Sequence, residues 1–234
     1  MKKETEPMIE KKESLQKRNK ISPTIIAAII TALATIIAAI ITAIIYYLPF
    51  SSTPPRPPGY NIGNEFHPAG YMGCFDKLDI NPAYTIEPLS SPHCYKVKVD
   101  FSDSCSAGFS GVYWTNTVDN SGANWGQHSG TDLSNKGFSK VTFWAKGQKG
   151  GEVIEFGSGG INNTKDLKFK YKDSYAEKYP TEGRNVTLTN SWQLYSIRLG
   201  KEDLSSVIGG FFFIVNRQAN STGITFYLDD ISFE

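Results

Sequence analysis

The residues with the most chemical promise lie between positions 113 and 126. There the chain reads Tyr113-Trp-Thr-Asn-Thr-Val-Asp-Asn-Ser-Gly-Ala-Asn124-Trp125-Gly126. Flat apolar rings stand beside amides and a carboxylate. Such a set grips a ligand that has both apolar faces and hydroxyls, and it has no evident nucleophile or proton shuttle. If residues 113 and 114 are in a strand, Tyr113 and Trp114 point to opposite faces, one into the core and one toward a ligand. Trp125 sits in a polar, glycine-bearing loop, so it is either an exposed platform or a plug over the core. Asn124 beside it supplies an amide. Trp144 falls on the polar phase of its own segment, beside Thr142 and Lys146, and is a second outward aromatic. Tyr71, Asp173 and Tyr175 are weaker candidates in loops, and Trp192 reads as a core residue at a strand start.

Catalytic constellations are absent from the sequence. The three histidines, His67, His93 and His128, have no metal-ligand spacing. No nucleophile elbow or phosphate-cradling loop occurs. Glycoside cleavage needs two carboxylates across a cleft. Glu152 and Glu155, three apart on a strand, face opposite sides. The expectation is a protein that binds rather than catalyses.

Strands must position these residues. Tyr95, Val97, Val99 and Phe101 alternate with Lys96, Lys98 and Asp100; Val141, Phe143 and Ala145 alternate with Thr142, Trp144 and Lys146; Tyr195, Ile197 and Leu199 alternate with Leu194, Ser196 and Arg198. Period two means one buried and one wet face. Residues 154–156 and 186–188 read as shorter strands. Residues 207–215 are almost continuously apolar and read as a strand buried on both sides. Glycine-rich turns separate these runs, and no amphipathic helix of useful length intervenes. The sequence therefore predicts an all-β fold, a jelly-roll β-sandwich over residues 60–234.

The closing segment slips in phase. Ile224, Phe226 and Leu228 share one face, and Ile231 and Phe233 the other, so a β-bulge is expected at Asp229-Asp230. A bulge re-aims a side chain, and a carboxylate turned inward needs backbone N–H groups or a calcium ion as partner. Asp229 or Asp230 is thus a candidate structural-calcium ligand.

Ahead of the sandwich lies a different kind of segment. Residues 25–48 carry no charge and end in Tyr46, Tyr47 and Leu48. As a helix they rise roughly 36 Å at about 1.5 Å per residue, enough to span about 30 Å of hydrocarbon. Thr31, Thr35 and Thr42 can bond back to their own helix. Lys2, Lys3, Lys11, Lys12, Lys17, Arg18 and Lys20 precede the run, and only Arg56 follows closely. The positive-inside rule then makes 1–20 a cytoplasmic tail, 21–48 a transmembrane helix in the cell membrane and the C-terminal domain extracytoplasmic. A cleaved signal peptide would have a shorter apolar core. Residues 49–59 are proline-rich and read as a semi-rigid spacer. A net charge of +1 over 234 residues offers no basic surface for nucleic acid.

Cys74, Cys94 and Cys105 all follow the anchor, so one disulfide plus one free thiol is expected, with the pairing open. Asn162, Asn185 and Asn220 each begin an Asn-x-Ser/Thr triplet.

The runs Gly111-Val-Tyr-Trp114, Asn124-Trp-Gly126, Asp132-Leu-Ser134, Val141-Thr-Phe-Trp-Ala-Lys-Gly147, Val207-Ile-Gly-Gly-Phe211 and Phe226-Tyr-Leu-Asp-Asp-Ile231 resemble those of galactose-binding-like jelly rolls. That group includes many carbohydrate-binding modules of glycoside hydrolases, and the resemblance covers most of residues 66–234. It implies a surface-displayed, non-catalytic module for a polysaccharide or glycoconjugate, contacted through Tyr113, Trp114, Asn124, Trp125 and Trp144. It also implies a structural calcium at Asp229 or Asp230. The same fold serves assembly proteins, so an envelope protein contacting a protein partner is the alternative.

Overall fold

The computed structural model describes residues 22–25, 27–28, 30–33, 35–37, 59–90, 92–116, 122–162 and 169–234. The chain divides into two units, Met1–Arg56 and Pro57–Glu234.

In the first unit, residues 23–25, 27–28, 30–33 and 35–37 are helical. Pro23 takes the first helical position, where its missing N–H costs nothing. Ser22 Oγ accepts from the Thr24 N–H at 3.3 Å. Thr31 Oγ1 donates to the Ala27 carbonyl at 3.0 Å and Thr35 Oγ1 to the Thr31 carbonyl at 2.9 Å, which satisfies both hydroxyls within the helix. Ile25, Ile30, Leu33, Ile36 and Ile37 are all more than half exposed. Among the described residues no helix is long and apolar enough to cross a membrane. The tail 1–20, most of the expected span and the spacer up to residue 58 lie outside the described residues.

The second unit is a sandwich of two antiparallel sheets. Its strands are β1 (Tyr60–Asn61), β2 (Phe66–Gly73), β3 (Leu78–Tyr84), β4 (Cys94–Asp100), β5 (Phe109–Asn116), β6 (Lys140–Gly147), β7 (Val153–Gly157), β8 (Asn185–Thr187), β9 (Gln193–Arg198), β10 (Gly209–Asn216) and β11 (Gly223–Phe233). The first sheet runs β3-β4-β11-β6-β9, with β1 pairing the end of β11; the second runs β2-β5-β10-β7-β8. From β4 to β7 the chain changes sheet at every step, and it does so again from β8 to β11. Each connection therefore crosses an end of the sandwich, which places the loops where β-sandwiches carry their sites.

The alternating positions face inward as expected. Val97, Val99, Val141, Phe143, Ala145 and Ile197 are at most 1% exposed. Trp114, Phe143, Phe156, Phe211, Phe213 and Phe226 join between the sheets, with ring centroids 4.8 Å apart for Phe143–Phe156 and 5.0 Å for Phe213–Phe226. Such pairs add about 0.5–1.5 kcal/mol each beyond area burial. The phase slip in β11 is a bulge: register with β6 shifts between Asp229 and Ser232, and Asp230 has φ +47°.

Cys74 and Cys105 form the disulfide, with Cα atoms 5.7 Å apart across 31 residues. Cys94 is the free, buried thiol, raised to about 11 by burial and by the nearby Asp229 carboxylate. Asn220 cannot accept a glycan here, because its Nδ2 is buried and donates to the Val153 and Asn216 carbonyls. Asn185 is exposed on β8, and the triplet at Asn162 runs beyond the described residues.

The disulfide closes a loop around the whole of β3 and β4. Cys105→Ser should lower unfolding free energy by roughly 3 kcal/mol. Reducing agent should have the same effect on the wild type and none on the variant. Denaturation curves of both proteins that coincide with and without reductant would contradict this.

Candidate functional site

The outer face of the second sheet is where aromatic residues converge. On β5 the alternation sends Val112 and Trp114 inward and Tyr113 outward. Trp114 was expected among ligand contacts, but it is 0% exposed between Tyr95, Phe211 and Phe213. It is core and has no surface to offer a ligand. Tyr113 was also expected among ligand contacts, but it is 6% exposed, buried in a second, outer hydrophobic cluster with Phe212, Ile161 and Ile208. Its ring lies 4.6 Å from Phe212, and its hydroxyl donates to the Gly159 carbonyl. So β10 is buried on both sides, as its apolar run predicts, but loops rather than another sheet cover its outer side.

Two rows of cross-strand partners organise this face. Gly70, Tyr113, Phe212 and Gly157 are in register across β2, β5, β10 and β7. Glycine is required at both ends of the row. A Cβ on Gly70 would approach the Trp125 ring to 3.1 Å, and one on Gly157 would strike Phe212. The next row is Met72, Gly111, Ile214, Glu155 and Asn185, and it crosses all five strands. At about 4.8 Å per strand it spans roughly 19 Å. Met72, Ile214 and Glu155 are half-buried and Asn185 is exposed. Gly111 at its middle is buried, and Met72 and Ile214 pack against the outer cluster, so the row forms a floor beside a wall of loop residues.

Asn124 builds the first part of the wall. Its Nδ2 donates to Asn116 Oδ1 and the His128 carbonyl, and its Oδ1 accepts from the Gly126 and His128 N–H groups. It is 2% exposed, and both ends of its amide are spent within the loop. It positions the wall instead of touching a ligand. Trp125 is half-buried, edge-on to Tyr113 at 5.8 Å.

The second part is the segment 169–184. The Tyr171 N–H donates to the Gly126 carbonyl, which joins the two loops. Asp173 accepts from the Ile161, Ile208 and Gly209 N–H groups. Burial pushes its carboxyl up to about 7, against the lowering effect of those three donors. Asp173 is thus a tie, and Tyr175, 4% exposed with its hydroxyl at Ser158, is core. Tyr171 and Tyr179 are half-buried and pack on the outer cluster. Tyr179 donates its hydroxyl to Glu177 at 2.6 Å. Arg184 stacks on the Tyr179 ring and reaches Glu155 at 2.9 Å. These residues escape period-two reading because their segment is irregular. Their one signal is a tyrosine at every fourth position, 171, 175 and 179, within a lysine-rich loop.

Trp144 does not join this site. It is half-buried on the outer face of the other sheet, across from Leu194 and Asp229. Trp192 is on that face too, half-buried instead of core, with its indole N–H on the Glu87 carbonyl at 3.2 Å. Lys146 lies between the Trp192 and Tyr227 rings and pairs with Glu87.

The connection from β3 to β4, which carries Glu87, also meets the two aspartates. Asp229 accepts from the Leu89 N–H at 2.9 Å, and Asp230 from Ser90 Oγ at 2.6 Å. Burial raises the Asp229 carboxyl. Calcium wants several oxygen ligands, whereas N–H and O–H donors face these carboxylates. Among the described residues no group of three or more His, Cys, Asp or Glu side chains could hold a metal ion. The donor set does not fit calcium: the bulge aims Asp229 and Asp230 at a loop. Glu152 and Glu155 also have separate tasks. Glu152 Oε1 accepts the Lys149 N–H and closes the turn before β7, while Glu155 lies on the floor.

No protein-family model matches the chain, and no curated protein is significantly similar to it. Its neighbours among solved structures include carbohydrate-binding modules of glycoside hydrolases. A family 30 carbohydrate-binding module has 18% identity and a TM-score of 0.46 over 76% of this chain and 99% of its own. The family 11 module of a Clostridium thermocellum cellulosomal cellulase has 12% identity and a TM-score of 0.41, over 75% and 92%. An adhesin domain of Lys-gingipain from Porphyromonas gingivalis has 13% identity and a TM-score of 0.41, over 76% and 96%. At these identities the site must be read from the chain's own residues.

Asp173 gives the site a pH signature. A carboxyl raised above its unfolded value contributes stability below about pH 4 and loses it as pH rises through about 7. The melting temperature should therefore fall between about pH 5 and about pH 8, and Asp173→Asn should flatten that slope. A slope of the same size in Asp173→Asn would show that other groups cause it.

Proposed function

We propose that the sandwich is a non-catalytic carbohydrate-binding module whose ligand lies across the strands of the second sheet. The observation that carries this reading is the five-strand row Met72–Gly111–Ile214–Glu155–Asn185, whose Met72 and Ile214 pack on the same outer cluster as Trp125, Tyr171 and Tyr179. Sugar rings present C–H faces to aromatic and apolar side chains and hydroxyls to amides, carboxylates and guanidinium groups. The floor and wall supply both in one strip, and a strip roughly 19 Å long accommodates several sugar units. Both carboxylates beside Tyr179 are engaged, Glu155 by Arg184 and Glu177 by the Tyr179 hydroxyl. They are held as acceptors, which suits hydroxyl recognition better than proton donation.

The uncharged run 25–48, with its basic leading flank and proline-rich exit, supports display of this domain outside the cell membrane. The second reading, contact with a protein partner, would use the other outer face, where Leu194 and Ile86 are at least half exposed near Trp144 and Trp192.

Affinity electrophoresis of the full chain through gels containing plant, microbial and animal polysaccharides tests the first reading. At least one polymer should retard the wild type. Trp125→Ala should weaken retention by about tenfold, the scale of one lost stacking contact. Trp144→Ala should leave it unchanged. Retention lost in Trp144→Ala and kept in Trp125→Ala would move the site to the other face.

A further inference from the structure

The half-buried tyrosines of the wall differ from bare sugar platforms in one respect: each has a cation over its face. Lys170 Nζ lies 5.0 Å from the Tyr171 centroid, and the Arg184 guanidinium 4.9 Å from that of Tyr179. A ring face covered by a cation offers a ligand positive charge backed by π density rather than an open stacking surface. Arg184 projects outward. Its side chain is 59% exposed, while that of its partner Glu155 is 13% exposed beneath it. Glu155 meets Nη2 at 2.9 Å, and a guanidinium carries five N–H donors in a planar fork. Lys170 and Lys172 are both exposed on the same segment. Glu155 and Glu177 both act on Arg184, and Asp173 is tied to backbone N–H groups in the interior, so the excess positive charge of this segment rests on Lys170 and Lys172.

We infer that the ligand of this strip is an anionic polysaccharide, with Arg184 and Lys170 receiving its carboxylate or sulfate groups while Trp125, Met72 and Ile214 take the apolar faces of its rings. The inference rests on the carbohydrate reading above and narrows it. A planar guanidinium fork matches either oxyanion, and an ammonium serves as a point charge beside it. Binding of this kind weakens with salt, because the cations are at the surface.

The test uses the full chain in affinity gels containing polygalacturonate, the same polymer fully methyl-esterified, or chondroitin sulfate. The expected result is retention by one or both acidic polymers and its loss on esterification. Affinity should drop about tenfold or more between about 0.05 and about 0.5 M salt. Arg184→Gln with Lys170→Gln should weaken the acidic-polymer complex by about tenfold. If Arg184→Gln loosens the Tyr179 segment, Lys170→Gln with Lys172→Gln alters exposed groups only and should weaken binding in the same direction. Retention by polygalacturonate alone assigns the carboxylate, and by chondroitin sulfate alone the sulfate; either supports the inference. Equal, salt-independent retention by the esterified polymer overturns it and leaves the carbohydrate reading standing. A chain retained by none of these and by no polymer of the wider panel overturns both.

Discussion

Three backbone N–H groups from two distant parts of the chain meet at one carboxylate, that of Asp173. Ile161 follows β7, while Ile208 and Gly209 lead into β10. Without an acceptor at that point, three buried donors would be unsatisfied, each at a cost of about 1–3 kcal/mol. The tie fixes the segment that presents Tyr171 on one side and Tyr179 on the other. Through the Tyr171–Gly126 hydrogen bond it also fixes the loop of Trp125. Together with the Asn124 network, this carboxylate ties the outer aromatic layer to the second sheet.

The two outer faces of the sandwich are covered differently, and this separates their roles. On the first sheet Lys96, Tyr227 and Lys146 are cross-strand partners, with Tyr84 stacked on Tyr227 and Trp192 next to Lys146. A loop is clasped over this ladder through Glu87, Leu89 and Ser90. The polar groups there face one another. On the second sheet the described loop residues pack over the row of Tyr113 and Phe212. Polar groups and half-buried rings border the next row, and this juxtaposition is the basis of the functional proposal.

The fold was legible because period two is a direct consequence of a strand with one buried face. The phases of β4, β6, β9 and β11 follow from it, and so does the bulge at Asp229-Asp230. The site was less legible. Asn124 and Asp173 are polar residues in loops, and sequence does not distinguish one that meets a ligand from one that satisfies a buried backbone. Trp114 and Tyr113 were known to face opposite ways, but which faced the core depends on which sheet they join. Glu155 and Arg184 come together only through the pairing of β7 with β8, and Trp125 and Trp144 part only because their segments join different sheets.

The central claim is that ligand lies on the outer face of the second sheet. The four tryptophans report on it directly, since Trp114 is core, Trp125 borders the strip and Trp144 and Trp192 are on the other face. Indole N–H resonances of the labelled full chain can be followed while a retained oligosaccharide is added. The account predicts that the Trp125 indole shifts with saturation and that Trp144 and Trp192 do not move. Saturable shifts at Trp144 and Trp192 with Trp125 unmoved would contradict it.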